Sequence, residues 1–187
     1  MIRTFVAIPL KNNAIISRQQ TLLQKLLPGS RIKWVEPHNF HLTLKFIGDT
    51  EESSVNTINN TLEEIASGYP PFVLEYDRTG YFGSQHQPRV IWFGFRAHPL
   101  LSEIQQEIET VLVQYGIRPD DKEYKPHLTI GRVKKIAERE AFSDFFRNQD
   151  MNIGEKLAVD AFQLIRSTLH SSGPVYTIIK EFKLKKV

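Results

Sequence analysis

Two stretches decide the fold: WVEPHNFHLTLKFIG, Trp34 to Gly48, and KPHLTIGRV, Lys125 to Val133. Each carries a histidine followed by leucine, threonine and an apolar residue, His41-Leu42-Thr43-Leu44 and His127-Leu128-Thr129-Ile130, set 86 residues apart. Side chains along a strand alternate faces, so His41 and Thr43 point one way while Leu42 and Leu44 point the other. His127 and Thr129 do the same. The apolar members anchor each strand to a core, and an imidazole stands beside a hydroxyl on the opposite face. The offset extends outward from the motifs, carrying the strand Thr4 to Ile8 onto 90–94 and the strand 72–76 onto 158–162. It also carries a helix at 12–27 onto 98–113 and one at 51–67 onto 137–153. This order implies an architectural duplication, a two-lobed α+β protein whose lobes are related by a pseudo-twofold. Such a fold brings the two polar pairs together across a cleft.

The remaining elements follow from periodicity and from helix and turn signals. Asn12 to Leu27 is helical, with Ile15, Ile16, Leu22, Leu23, Leu26 and Leu27 on one face and Pro28-Gly29 as the stop. Ile32 to Val35 reads as a short strand, and His41 to Ile47 as a strand ended by Gly48-Asp49. Asp49-Thr50-Glu51-Glu52 resembles a capping box opening the next helix, which Gly68 closes. Phe72 to Tyr76 and Arg89 to Phe95 are strands separated by a hairpin loop from Thr79 to Pro88. Pro99 starts a helix that ends at Gly116. After a polar loop come a strand from His127 to Val133 and a helix from about Ile136 to Asn148. Two last strands, Leu157 to Ser167 and Val175 to Leu184, are joined by Ser171-Ser172-Gly173-Pro174.

Composition sets the outer bounds. The 187 residues are 41% hydrophobic and 24% charged, as in an ordinary globular domain and unlike a disordered or fibrous chain. A single domain over 1–187 is expected, with a core sufficient without metal or disulfide. Twenty-four Lys and Arg against 21 Asp and Glu give a net charge of +3, too mild for a dedicated DNA binder although it admits an anionic partner. The absence of cysteine rules out disulfides, zinc–thiolate sites and cysteine nucleophiles, and fits a reducing cytoplasm. The apolar run Phe5 to Leu10 is too short for a signal-peptide core, and no segment approaches the length of a membrane span.

A single strand histidine is ordinarily structural, but a duplicated His/Thr pair is not what packing alone would keep. Imidazole titrates near neutrality, so one ring can start as base while the other starts as acid. Threonine hydroxyls donate hydrogen bonds to phosphoryl oxygens. Without clustered carboxylates, the set suits in-line displacement at phosphorus rather than metal binding, and a cyclic phosphate is the natural substrate.

At this point the chain resembles a known family. RTFVAI (Arg3 to Ile8), the two stretches quoted above and SSGPVY (Ser171 to Tyr176) are similar to the two-histidine HxTx phosphoesterases. Among these the RNA 2′,3′-cyclic phosphodiesterases, also called 2′-5′ RNA ligases or LigT-like proteins, are most similar. The resemblance implies a bilobal α+β fold of antiparallel sheets flanked by helices, with one HxTx strand from each lobe lining a central cleft. It implies metal-independent hydrolysis of an RNA 2′,3′-cyclic phosphate to a 2′-phosphomonoester. His41 would be the proton donor to the departing 3′-oxygen and His127 the acceptor that activates water. Thr43 and Thr129 would bind phosphate oxygens, and Arg132 would neutralise phosphate. Arg132 stands five residues after His127, so reaching the same face requires a bulge or a strand end.

The expected partners are RNA ends or small cyclic nucleotides, with no cofactor, no metal, no membrane and no protein partner, and a monomer is the default. Phe5 and Trp34 are candidates to stack a base, with core packing as the equal alternative. Lys45, on the His41 face by strand alternation, is a candidate for an RNA phosphate or a plain surface lysine. His38, His86, His98 and His170 read as surface or capping residues, and Lys180, Lys183, Lys185 and Lys186 as a solvated edge. Two rival functions remain: 2′-5′ ligation, or hydrolysis of another cyclic or 2′,5′-linked nucleotide, by the same residues, and noncatalytic binding of RNA ends.

Overall fold

The computed structural model describes residues 1–11, 13–148, 156–171 and 173–185. Readings made above for Asn12, for 149–153, for Ser172 and for Lys186 lie outside the described residues.

The first half of the chain runs β1 (Ile2–Pro9), α1 (Ala14–Leu26), β2 (Arg31–Trp34), β3 (His41–Thr50), α2 (Val55–Ser67) and β4 (Phe72–Gly83). The second runs β5 (Pro88–Phe95), α3 (Pro99–Leu112), β6 (His127–Lys135), α4 (Arg139–Arg147), β7 (Lys156–Val159), β8 (Ala161–His170) and β9 (Gly173–Lys183). All pairings are antiparallel and form two sheets, β3-β1-β8-β9 and β2-β6-β5-β4-β7. The expected order recurs in part, because the strand expected at 158–162 is split between β7 and β8 and β2 has no counterpart at 117–120, and the halves are interwoven. β1 and β3 of the first half are extended by β8 and β9 of the second, while β5 and β6 of the second are extended by β4 and β2 of the first. Helices exchange likewise. α3 packs on β3, and α2 packs on β8 and β9. On the other sheet α1 donates from Gln20 Nε2 to the carbonyls of Val35 and Ile130, at 2.7 and 2.9 Å.

Each helix forms for local reasons. Asn13 Oδ1 caps α1 by accepting from the Ile15 and Ile16 amides, and Ile16 and Leu23 on its inner face are buried. Pro99 opens α3, and Gly116, at φ +76°, ends the helical run in the left-handed conformation that glycine adopts without strain. The apolar faces of α2 (Ile58, Leu62, Ile65) and α3 (Leu101, Ile104, Ile108) join Leu42, Leu44, Leu128, Ile130, Phe93 and Phe182 in one hydrophobic core.

Four local expectations are corrected. β3 does not stop at Gly48: the strand bulges, with Thr4 opposite Gly48 and Phe5 opposite Phe46, and Gly48 takes φ +87° before pairing resumes through Thr50. No capping box forms, because Asp49 and Thr50 belong to the strand and a short 3-10 turn, Glu52–Ser54, leads into α2. The loop expected at 79–88 is mostly strand, with Thr79 to Phe82 paired to Val90 through Phe93 and only 84–87 left as the turn. The strand expected at Leu157–Ser167 breaks at Asp160, where the chain leaves one sheet for the other. Register also refines the offset: Trp92 pairs with Thr129 as Ala7 pairs with Thr43, so the β1/β5 equivalence is 85 residues against 86 for the histidine strands.

Candidate active site

Residues paired across antiparallel strands share a face. Pro9 pairs with His41, Ala7 with Thr43 and Phe5 with Phe46, so His41, Thr43 and Phe46 lie on one face of β3. The register slips between Val6 and Ala7, which leaves Leu44 as an extra residue and turns Leu44 and Lys45 together toward the core. β6 repeats the device. Gly94 pairs with His127, Trp92 with Thr129 and Val90 with Arg132, with a slip between Ile91 and Trp92, so His127, Thr129 and Arg132 share a face. The bulge that Arg132 required is present. Gly131 makes room for it, because a Cβ there would meet Ile32 Cγ2 at 2.9 Å and the Trp34 ring at 3.0 Å.

The two histidines are held alike. His41 Nδ1 lies 2.7 Å from the Asn39 carbonyl, and His127 Nδ1 lies 2.7 Å from the Lys125 carbonyl. A carbonyl oxygen only accepts, so each Nδ1 carries the proton it donates, and Nε2 is the nitrogen left to exchange one. The 3-10 turn Pro37–Asn39 presents the first carbonyl, ahead of Phe40, which is buried and holds the Leu10 amide at 2.9 Å. Tyr124, just ahead of β6, donates its hydroxyl to the Thr43 carbonyl at 3.1 Å and ties the approach of one strand to the middle of the other.

Rings fix both imidazoles. Phe5 and Tyr176 pack on His41 with centroids at 5.0 and 5.3 Å, the latter edge-on, and Phe82 meets His127 edge-on at 4.8 Å. Phe5, Ala7 and Ile165, with Tyr176 against them, form a small apolar cluster of their own. Beside Phe82, Trp92 lies across Gly80 and Gly94, where any Cβ would run into its ring.

Burial lowers the pKa of His41, opposed by its hydrogen bond to Asn39 and reinforced by the charges of Arg132 and His127. Burial likewise lowers His127, opposed by the Lys125 carbonyl. Burial raises the Tyr176 phenol, and Arg132 pulls it back. Arg132 thus acts on His41 and Tyr176, residues of the opposite sheet. His41 and Thr43 share one face of β3, His127, Thr129 and Arg132 share one face of β6, and the charges of Arg132 and His127 act on His41. Among the described residues, no group of three or more His, Asp or Glu is placed to hold a metal ion.

Other expectations resolve differently. Lys45 is not on the cleft face; it is 1% exposed, with Nζ 2.8 Å from Glu109, 3.2 Å from Asp120 and 2.8 Å from the Arg118 carbonyl. Phe5 is 3% exposed and supports His41 from beneath, while Trp34 packs against the core over Gly131. His98 stands at the start of α3 without capping it and stacks on Phe72 at 4.8 Å. Lys180 and Lys185 lie 3.2 and 3.9 Å from Glu63, along the edge strand β9 and just beyond it. Sequence reasoning missed Phe46, Phe82, Tyr124 and Tyr176. Tyr176 closes the quoted SSGPVY stretch, whereas Phe82 was hidden in the supposed loop and Phe46 by the unread bulge.

Two interwoven sheets, each carrying a His/Thr strand and with those two strands in contact, are the arrangement of a two-histidine phosphoesterase. A family model described as LigT like Phosphoesterase matches residues 8–92 and 96–176, and the chain belongs to that family. A Methanothermobacter thermautotrophicus protein named RNA 2′,3′-cyclic phosphodiesterase is 33% identical, with 98% of this chain and 99% of that protein covered. One of the same name from Thermotoga maritima is 32% identical over 96% of this chain and 94% of its own. Among solved structures, a Thermus thermophilus protein superposes with a TM-score of 0.79 at 30% identity, covering 98% of each chain. Escherichia coli LigT complexed with 3′-AMP gives 0.74 at 25% identity, covering 99% of this chain and 98% of that one. Among the described residues, no helix is long and apolar enough to cross a membrane.

Proposed function

We propose that this chain hydrolyses a terminal RNA 2′,3′-cyclic phosphate to a 2′-phosphomonoester by acid–base catalysis at His41 and His127, without a metal. The observation that carries the reading is the matched pair of imidazoles, each with Nδ1–H committed to the carbonyl two residues earlier. Relatives bearing the phosphodiesterase name and matching nearly the whole chain support the substrate.

In this reaction His127 Nε2 takes a proton from water as the water oxygen bonds to phosphorus. The bond from phosphorus to the 3′-oxygen breaks opposite it, and His41 Nε2 gives that oxygen its proton. Thr43 and Thr129 donate hydrogen bonds to the non-bridging oxygens, and Arg132 offsets their charge. Product release leaves His41 neutral and His127 protonated, and one proton exchange with solvent restores the start. Arg132 disfavours the charged form of His41 in the empty site. An anionic phosphate beside that guanidinium cancels the penalty, so His41 gains its proton as substrate binds. On the same reading residues 1–187 work as one bilobal domain and as a monomer, and the cysteine-free composition suits the cytoplasm.

The test is a short RNA ending in 2′,3′-cyclic phosphate, incubated with the protein in EDTA, with the terminal phosphate of the product identified. A 2′-phosphate is expected, and His41→Ala or His127→Ala should each reduce kcat by roughly 10²–10⁴-fold with the circular dichroism spectrum unchanged. Loss of activity in EDTA would overturn the metal-free mechanism. RNA halves ending in cyclic phosphate and 5′-hydroxyl distinguish ligation from hydrolysis by the product formed.

A further inference from the structure

The turn between β4 and β5 and the first turn of α4 enclose a cavity of about 350 Å³ at the end of β6, on from the site along that strand. Four cations line it: Arg89, Lys134, Lys135 and Arg139. Among the described residues, none of those lining the cavity is acidic and none of the four is ion-paired. Glu138, next to Arg139 in the chain, has both oxygens committed elsewhere, accepting from the Gly29 amide and the Ser30 hydroxyl, each at 2.6 Å. Where other cations gather on this surface they share a carboxylate: Arg96 and Lys156 flank Glu75, and Lys180 and Lys185 flank Glu63. Four like charges around one hollow repel one another, and an anion among them relieves that repulsion.

Both walls of the cavity are fixed. Gly83, at φ +105°, turns the chain so tightly that a Cβ there would run into the Gln87 carbonyl oxygen, and Ser84 Oγ accepts from the Gln87 amide at 3.0 Å. Gln85 Nε2 donates to Ser143 Oγ of α4 at 2.8 Å, and Arg139 Nη1 donates to the His86 carbonyl at 3.5 Å, so turn and helix hold each other. Placement adds to charge. Lys134 and Lys135 follow Arg132 on β6, about 7–10 Å further along the strand at its usual rise. Arg31 of β2 pairs with Lys135 and extends the same positive end. A nucleic-acid strand whose terminal phosphate lies beside Arg132 therefore brings its preceding phosphates toward this cavity.

We propose that this cavity is a second phosphate site, taking the internucleotide phosphates that precede the terminal nucleotide of a single-stranded RNA; this rests on the function proposed above. Arg89 and Arg139 supply planar forks for paired contacts to phosphate oxygens, and the two lysines supply mobile point charges. Such contacts read charge and not base, so the site adds affinity without regard to sequence. It makes an RNA end, rather than a free cyclic nucleotide, the preferred substrate.

The experiment compares cytidine 2′,3′-cyclic phosphate with an RNA hexamer ending in the same nucleotide, in rising KCl. The wild-type protein should favour the hexamer in kcat/KM, and with two phosphates held that advantage should fall about sevenfold between about 50 and about 200 mM KCl. Lys134→Gln combined with Arg139→Gln should bring the ratio close to one, chiefly through KM for the hexamer, whereas Lys134→Arg with Arg139→Lys should keep it. Binding is read separately, from the anisotropy of a labelled hexamer ending in 3′-phosphate, where the glutamine pair should make the slope of log Kd against log [KCl] shallower by about 1.4. A hexamer advantage in the glutamine pair equal to the wild type's, or equal kcat/KM on both substrates in an active wild type, would overturn the site while leaving the proposed hydrolase intact. Wild-type protein inactive on both substrates would overturn the hydrolase reading, and the anisotropy slopes would then decide the site alone: equal slopes overturn it, and a shallower slope in the glutamine pair supports it.

Discussion

At His41 burial, the Arg132 charge and the His127 charge all work against protonation, and only the Asn39 carbonyl works for it. Both histidines lie below the ordinary value of 6.5 in the free protein. For a base that must start neutral and an acid that must start protonated, the bell of kcat/KM against pH centres between the two values, so its apex is expected below pH 6.5. Arg132→Met removes a charge that lowers His41, so the His41 value rises toward 6.5. The break of the bell that belongs to His41 then moves to higher pH in this variant while the break set by His127 stays in place. A profile in which neither break moves would show that Arg132 does not act on His41. Sequence spacing reached the two histidines because each motif pairs a histidine with a hydroxyl two positions on, whereas Arg132 came from the family resemblance. It could not reach Phe82 or Tyr176, which touch the imidazoles through contacts between elements far apart in the chain.

Among the elements, the bulges of β3 and β6 do what a regular strand cannot. Alternation predicted Lys45 in the cleft and Arg132 on the wrong face, and a single extra residue in each strand reverses both. A bulge has no composition of its own, which is why the sequence motifs were legible and the faces beyond them were not. The ion cluster behind β3 should be correspondingly important to stability. Lys45→Met leaves Glu109 without its cation and is expected to cost about 3 kcal/mol, lowering Tm by roughly 6–12 °C for a chain of this size. A melting temperature within a degree of the wild type would show that the buried lysine does not hold the bulge. The break at Asp160 was equally invisible: β7 and β8 are both strand-like, and only the partners available in two different sheets divide them.

For the whole molecule, the repeat in the sequence announced two lobes but not that the lobes trade strands. Strand order depends on pairing between residues as distant as Thr4 and Arg166, which no local signal records. Because β4 and β8 each complete the sheet begun by the other half, neither half possesses a closed core. Fragments 1–86 and 87–187 expressed separately should lack dispersed amide resonances, whereas the intact chain should unfold in one transition seen alike by fluorescence and circular dichroism. A fragment that folds alone would refute this dependence. The exchange of strands also bears on descent. A single ancestral half, with its own β4-like strand left over, could close its sheet only by lending that strand to an identical copy and borrowing one in return. The ancestor of such a repeat would have been an intertwined homodimer, with the same side chain at both third positions of its histidine strands. In a fused chain those two positions are free to differ, and here they are Phe46 and Arg132.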